Sequence, residues 1–106
     1  MTDRLNNILQ EARKFLAVVY GSRLSQVILF GSQARGDVSP GSDIDLMIVL
    51  EGPVHVGEEI ARTGELTARL SLKHDTVISC VFISADRYQK EQSPLMLNVR
   101  REGVAV

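Results

Sequence analysis

An α+β fold, with helices packed against a small mixed β-sheet, is predicted for this chain of 106 residues. Three observations carry that prediction. Residues 3–20 and 57–73 repeat apolar side chains at intervals of three and four, the period of an amphipathic helix. Residues 26–30, 43–50 and 76–83 are short apolar or β-branched runs bounded by turn formers, which suits buried strands. The resulting order, α-β-β-α-β-α-(β), calls for helices layered on a sheet.

Each element follows from local chemistry. In 3–20 the inner stripe is Leu5, Ile8, Leu9, Ala12, Phe15, Leu16 and Val19, with Thr2 or Asp3 to cap its start and Gly21 to end it. Gln26-Val27-Ile28-Leu29-Phe30 is too short for a helix and stops at Gly31-Ser32. From there to Ser42 the chain is rich in Gly, Ser and Asp, a loop with room for one helical turn at 33–35. The strand 43–50 closes at Glu51-Gly52-Pro53. In 57–73, Ile60, Thr63, Leu66, Thr67 and Leu70 read as the inner stripe, and Glu58, Glu59, Arg62, Glu65, Arg69 and Lys73 as the wetter side, with Gly64 a weak point in the middle. After the third strand, Ser84 can cap a short helix into Gln89. Ser93-Pro94 opens another, carrying Leu95, Met96, Leu97 and Val99 and ended by Gly103. Val104-Ala105-Val106 offers a last edge strand.

Size and composition narrow the function classes. The length fits one domain, 1–106, with a modest core. Net charge is -1, and aromatic residues are 5% with no Trp, so the basic surplus of a dedicated nucleic-acid binder is missing and stacking platforms are scarce. No apolar run reaches the roughly 20 residues of a membrane span, and the first residues do not read as a signal peptide. A single cysteine, Cys80, predicts a reducing, cytoplasmic setting.

The chemistry concentrates between Val27 and Leu50. Alternate residues of a strand share a face, so Asp43 and Asp45 point the same way, with Cα atoms about 6–7 Å apart and Ile44 directed to the other face. Two ionised carboxylates about 4 Å apart repel by roughly 4 kcal/mol at an effective dielectric near 20. A strand continuing as Leu46-Met47-Ile48-Val49-Leu50 is a poor place for that cost unless a cation offsets it. Hard oxygen ligands select Mg²⁺ or Mn²⁺. Gly31, at a strand end, allows close backbone approach to a phosphate, and the N–H groups of the following turn favour an anion. The Ser32 hydroxyl adds a donor, Arg35 can pair with a phosphate oxygen, and Ser42 can orient a phosphate or a carboxylate. A phosphate cradle beside a carboxylate pair suits transfer at a nucleoside triphosphate such as ATP.

The segment Leu29-Phe30-Gly31-Ser32-Gln33-Ala34-Arg35-Gly36, followed by Ser42-Asp43-Ile44-Asp45-Leu46, closely resembles the DNA polymerase β-like nucleotidyltransferase superfamily: Gly-Ser, ten residues, Asp-x-Asp. Within it, length and the Arg35-Gly36 variant look like the minimal nucleotidyltransferase (MNT) domains, as does the ending Asn98-Val99-Arg100-Arg101-Glu102-Gly103-Val104. The resemblance implies the polymerase β-like fold, triphosphate binding by Gly31 and Ser32, and Mg²⁺ ligation by Asp43 and Asp45. It also implies a HEPN-family helical toxin as partner, neutralised in some cases by transfer of AMP to a tyrosine. One departure stands out. The family usually carries a third carboxylate on a following strand, and 76–83 contains none. Ser79 or Cys80 stands near its place, and Asp75 precedes the strand. Without that carboxylate, a nucleotide-binding antitoxin that acts by binding alone is the competing reading.

Other signals have plainer explanations. Gly31-x-x-x-x-Gly36 is followed by Asp37-Val38 rather than the Lys-Ser/Thr of a P-loop. Arg35 fits a phosphate ligand or a surface ion pair, and Asp75 fits an ordinary turn residue as well as a catalytic acid. His55 and His74 lack partners at zinc-ligand spacing. Cys80 reads as core, Tyr20 and Tyr88 as structural, and the residues around Met96 as core or interface, so a homo-oligomer is one outcome.

Overall fold

The computed structural model describes residues 2–36 and 43–106. Its elements are α1 (Asp3–Tyr20), a 3-10 turn (Gly21–Arg23), β1 (Leu24–Phe30), β2 (Ile44–Leu50), α2 (Val56–His74), β3 (Ile78–Ser84), α3 (Ala85–Lys90), α4 (Pro94–Glu102) and β4 (Val104–Ala105). The four strands form one mixed sheet in the order β3-β2-β1-β4. β1 runs antiparallel to β2 and β4, while β3 runs parallel to β2 with α2 as the crossover. This is the mixed sheet with packed helices that the sequence predicts.

Capping fixes the helix ends where expected. Leu5 N–H donates to Thr2 Oγ1 at 3.1 Å, Arg87 N–H to Ser84 Oγ at 3.2 Å, and Met96 N–H to Ser93 Oγ at 3.3 Å. Each satisfies a donor that a helix start otherwise leaves open. Gly21 ends α1 at φ 55, a conformation costly to a residue with a Cβ.

β2 is the centre of the molecule. Leu46, Met47, Ile48, Val49 and Leu50 are all sealed from solvent, because helices cover both faces. Ile44, Leu46, Ile48 and Leu50 join Val27 and Leu29 beneath α1 and α2. Met47 and Val49 join Ile28, Ile83, Met96 and Val99 on the other face. Burial of such a side chain contributes about 1.5–3 kcal/mol. This two-sided burial explains why the strand reads as a continuous apolar run.

The reading of α2 needs correction. Glu59, assigned to the wetter side, is 1% exposed, and Ile60, assigned to the inner stripe, is 53% exposed. Glu59 is tolerated inside because its carboxylate is fully engaged. Tyr20 Oη donates to it at 3.0 Å, His55 N–H at 3.4 Å, and the Arg62 guanidinium lies at 3.2 Å. A buried charge with such partners avoids most of the desolvation cost. Ile60 is left outside by the same helix rotation. Leu95 and Leu97 are likewise half-exposed, whereas Met96 and Val99 turn into the core.

Candidate active site

One end of the sheet gathers the residues singled out by their chemistry. β1 ends there at Phe30, β2 begins there, and β3, parallel to β2, begins beside it. Ile44 lies in the core cluster under α1 and α2. Alternation therefore turns Asp43 and Asp45 to the face shared by Phe30 and Met47. Asp43 is exposed just ahead of β2, and Asp45 is half-buried opposite Phe30.

Gly31 touches Asp45 directly. It has φ +76, and a Cβ built on it would stand 2.5 Å from Asp45 Oδ2. The glycine thus clears space for the carboxylate itself. Sequence reasoning assigned that freedom to a phosphate and missed the acid. After Gly31 the chain makes one helical turn, with Arg35 N–H donating to the Gly31 carbonyl at 3.2 Å. Ser32 opens that turn.

Electrostatics tie the two acids together. The Asp45 carboxyl is raised above the ordinary aspartate range by burial first and by the Asp43 charge second. Among the described residues, no basic side chain forms an ion pair with either acid. Paired carboxylates of this kind are the hard-oxygen donors that suit Mg²⁺, and the site's charge favours any cation that relieves their repulsion.

The remaining candidates divide. In the parallel register Asp45 stands beside Ser79, so the place of a neighbouring-strand carboxylate is held by a hydroxyl. Cys80 belongs to the opposite face, with its thiol pushed up to about 11 by burial. Asp75 caps the C-terminus of α2 at φ 50, exposed, on the helix that covers that opposite face. The charge acting on Asp45 is Asp43's, not Asp75's. Arg35 lies 3.5 Å from Glu102 at the end of α4. That contact joins the turn after β1 to the last helix, and no local pattern announces it. Ser42 lies outside the described residues. Among the described residues, no three His, Cys, Asp or Glu side chains gather as a metal site, and no helix is long and apolar enough to cross a membrane.

With this geometry established, the chain can be placed. Residues 3–95 match the nucleotidyltransferase domain family, and the chain belongs to that family, a class of nucleotidyl-transferring enzymes. Its relatives include two proteins of Methanocaldococcus jannaschii. "Putative protein adenylyltransferase MJ0141" is 36% identical over 72 residues, covering 68% of this chain and 72% of the relative. "Putative protein adenylyltransferase MJ0604" is 39% identical over 72 residues, covering 68% of this chain and 66% of the relative. Among solved structures, a toxin-antitoxin crystal structure with AMP-PNP superposes with a TM-score of 0.60 at 18% identity, over 97% of this chain and 69% of the other. A mutant of the toxin-antitoxin MntA-HpeT, with two aspartates two positions apart changed to glutamate, gives 0.62 at 18% identity over 90% and 69%. At that identity the likeness speaks for the fold.

Proposed function

We propose that residues 1–106 act as one catalytic domain that binds ATP with Mg²⁺, or Mn²⁺ in its place, and transfers AMP to a hydroxyl. The acceptor oxygen bonds to the α-phosphorus, the bond to the pyrophosphate oxygen breaks, and the hydroxyl proton is released to solvent. The observation that carries this reading is the Asp43–Asp45 pair set against Gly31 at the mouth of the sheet.

Asp43 and Asp45 are the residues that would hold the cation. When bound, it neutralises the triphosphate and stabilises charge developing at the α-phosphate. The chain's own residues do the positioning. Ser32 gives its hydroxyl and backbone N–H to the phosphates, Gly31 keeps Asp45 close to that turn, and Arg35 moves from Glu102 to a phosphate oxygen. Ser42 is assigned to the same phosphate region on its sequence position beside Asp43.

The acceptor we assign is a tyrosine of a helical HEPN-type toxin in the cytoplasm, for which this chain is the antitoxin. The names of the relatives support protein adenylylation. The toxin-antitoxin neighbours, one of them with AMP-PNP, support the partnership. The test is transfer of label from α-labelled ATP to the co-expressed partner, with the partner's mass measured. Wild type adds AMP, and Asp43→Asn with Asp45→Asn abolishes the addition while the protein stays folded. Transfer that survives both substitutions refutes the assignment.

A second reading is an antitoxin that binds its partner without turnover. Ser79 beside Asp45 favours it, since a third carboxylate is missing there. A partner that is inhibited yet unchanged in mass would establish this reading over the first.

A further inference from the structure

The sheet has two edges, and they differ. β4 closes one with only two residues, a short edge that offers little to another strand. β3 forms the other over seven residues, and among the described residues nothing pairs with its outer side. Its sequence, Ile-Ser-Cys-Val-Phe-Ile-Ser, holds no charge and no proline, and its register with β2 is continuous. Charge, proline and bulges, three devices that discourage edge pairing, are therefore absent from Ile78–Ser84.

Pairing with β2 determines which backbone groups face outward. Ile44 N–H donates to the Val77 carbonyl at 2.8 Å, so the polar groups of Val77 point toward β2. Alternation does the same for Ser79, Val81 and Ile83 and turns those of Ile78, Cys80 and Phe82 outward. The outward N–H of Ile78 is taken by Ser71 Oγ at 3.3 Å. The N–H and C=O groups of Cys80 and Phe82 remain, arranged symmetrically about Val81.

We propose that β3 pairs antiparallel with β3 of a second copy of this chain, about a two-fold axis at Val81. In this register Cys80 of each copy exchanges N–H···O bonds with Phe82 of the other, and the Ile78–Ser71 bond stays intact. Placing Cys80 opposite Cys80 would require Ile78 to give up Ser71, so the Val81-centred register is favoured. Side chains agree with it. Val81, 38% exposed in the single chain, meets its own copy at the axis, and Ser79 meets Ile83. Beside the edge, on the α2 side, lies a trough of about 420 Å³ whose lining, including Ile60, Gly64, Thr67 and Ala68, carries no charge. Strand and trough thus bring no like charge to the axis, and the outward donors of Cys80 and Phe82 meet acceptors of the other copy. This self-complementarity is what an isologous two-fold interface requires.

Sedimentation and disulfide trapping test the proposal. Wild-type protein should pass from monomer to dimer between about 1 and 500 μM, as mass action requires. Val81→Lys puts like charges opposite each other at the axis and should weaken association at least about tenfold. Val81→Cys in a Cys80→Ser background should form a covalent dimer, because non-hydrogen-bonded antiparallel partners have Cα atoms about 4.5 Å apart, within disulfide reach. Val77→Cys in that background is the control, since Val77 is 55% exposed but has no facing copy in this register. Trapping at 81 should be about tenfold faster than at 77. A wild-type monomer across the range, a dimer that survives Val81→Lys, or trapping no faster at 81 than at 77 would each overturn the proposal.

Discussion

The carboxylate of Asp45 rests against the α-carbon of Gly31, in the space that any larger residue's Cβ would occupy. This contact joins the end of β1 to the start of β2 and fixes where the acidic pair sits relative to the Gly-Ser turn.

Gly31→Ala should therefore fail twice. The methyl collides with Asp45 Oδ2, and the positive φ costs an L-residue about 1–2 kcal/mol. We expect a stability loss of about 1–3 kcal/mol, read from denaturant unfolding, together with loss of nucleotidyl transfer. Wild-type stability in this variant would mean that the contact does not constrain the site.

The acidic pair should set a pH and metal dependence. Because Asp45 has its pKa raised in the fold, the native state binds more protons than the unfolded chain between the two pKa values. This group's contribution is thus fully present below the unfolded pKa and is lost as pH rises through the folded one. Asp45→Asn should remove that loss and raise the melting temperature at neutral pH without divalent cations. In wild type, Mg²⁺ at ten times its Kd should add about 1.4 kcal/mol, an increment absent from the Asp43→Asn, Asp45→Asn double variant.

Ser79→Asp should supply the carboxylate that β3 lacks. Its side chain would stand beside Asp45. Without metal, the added like charge should cost about 0.2–1 kcal/mol. With Mg²⁺, the apparent metal affinity should rise, seen as thermal stabilisation at lower Mg²⁺ concentration. Unchanged metal affinity would show that residue 79 does not face the bound cation.

The Tyr20–Glu59 hydrogen bond should appear in stability and in tyrosine titration. Tyr20→Phe leaves a buried carboxylate short of a donor and should cost about 1–3 kcal/mol by denaturant unfolding. Burial, followed by Glu59, holds the Tyr20 phenol well above the ordinary tyrosine range. Its contribution to stability is present below the unfolded phenol pKa of about 10 and is lost as pH rises above it. Under alkaline titration Tyr20 should ionise only on unfolding.

Arg35→Ala should separate the two readings of that residue. Its pair with Glu102 is half-exposed, so stability should change by less than about 1 kcal/mol. Nucleotide affinity, measured by calorimetry, should fall if Arg35 reaches the triphosphate. Unchanged affinity would leave Arg35 as a surface partner of Glu102.

The sequence by itself determined the elements and the pairing of motifs. Ser84 and Ser93 announced helix starts through their side-chain oxygens, as did Thr2 or Asp3 at the first helix. The 43–50 run announced a buried strand, and strand alternation put Asp43 and Asp45 on one side. Those are local rules, acting over a few residues. Tertiary structure alone decided that Gly31 makes room for Asp45, that Ser79 rather than Cys80 stands beside it, that Arg35 reaches Glu102, and that Glu59 lies inside while Ile60 lies outside. Register, helix rotation and burial of a charge depend on partners distant in the chain, such as Tyr20 for Glu59. A charged residue reads as a surface residue until the groups that satisfy it in the fold are known.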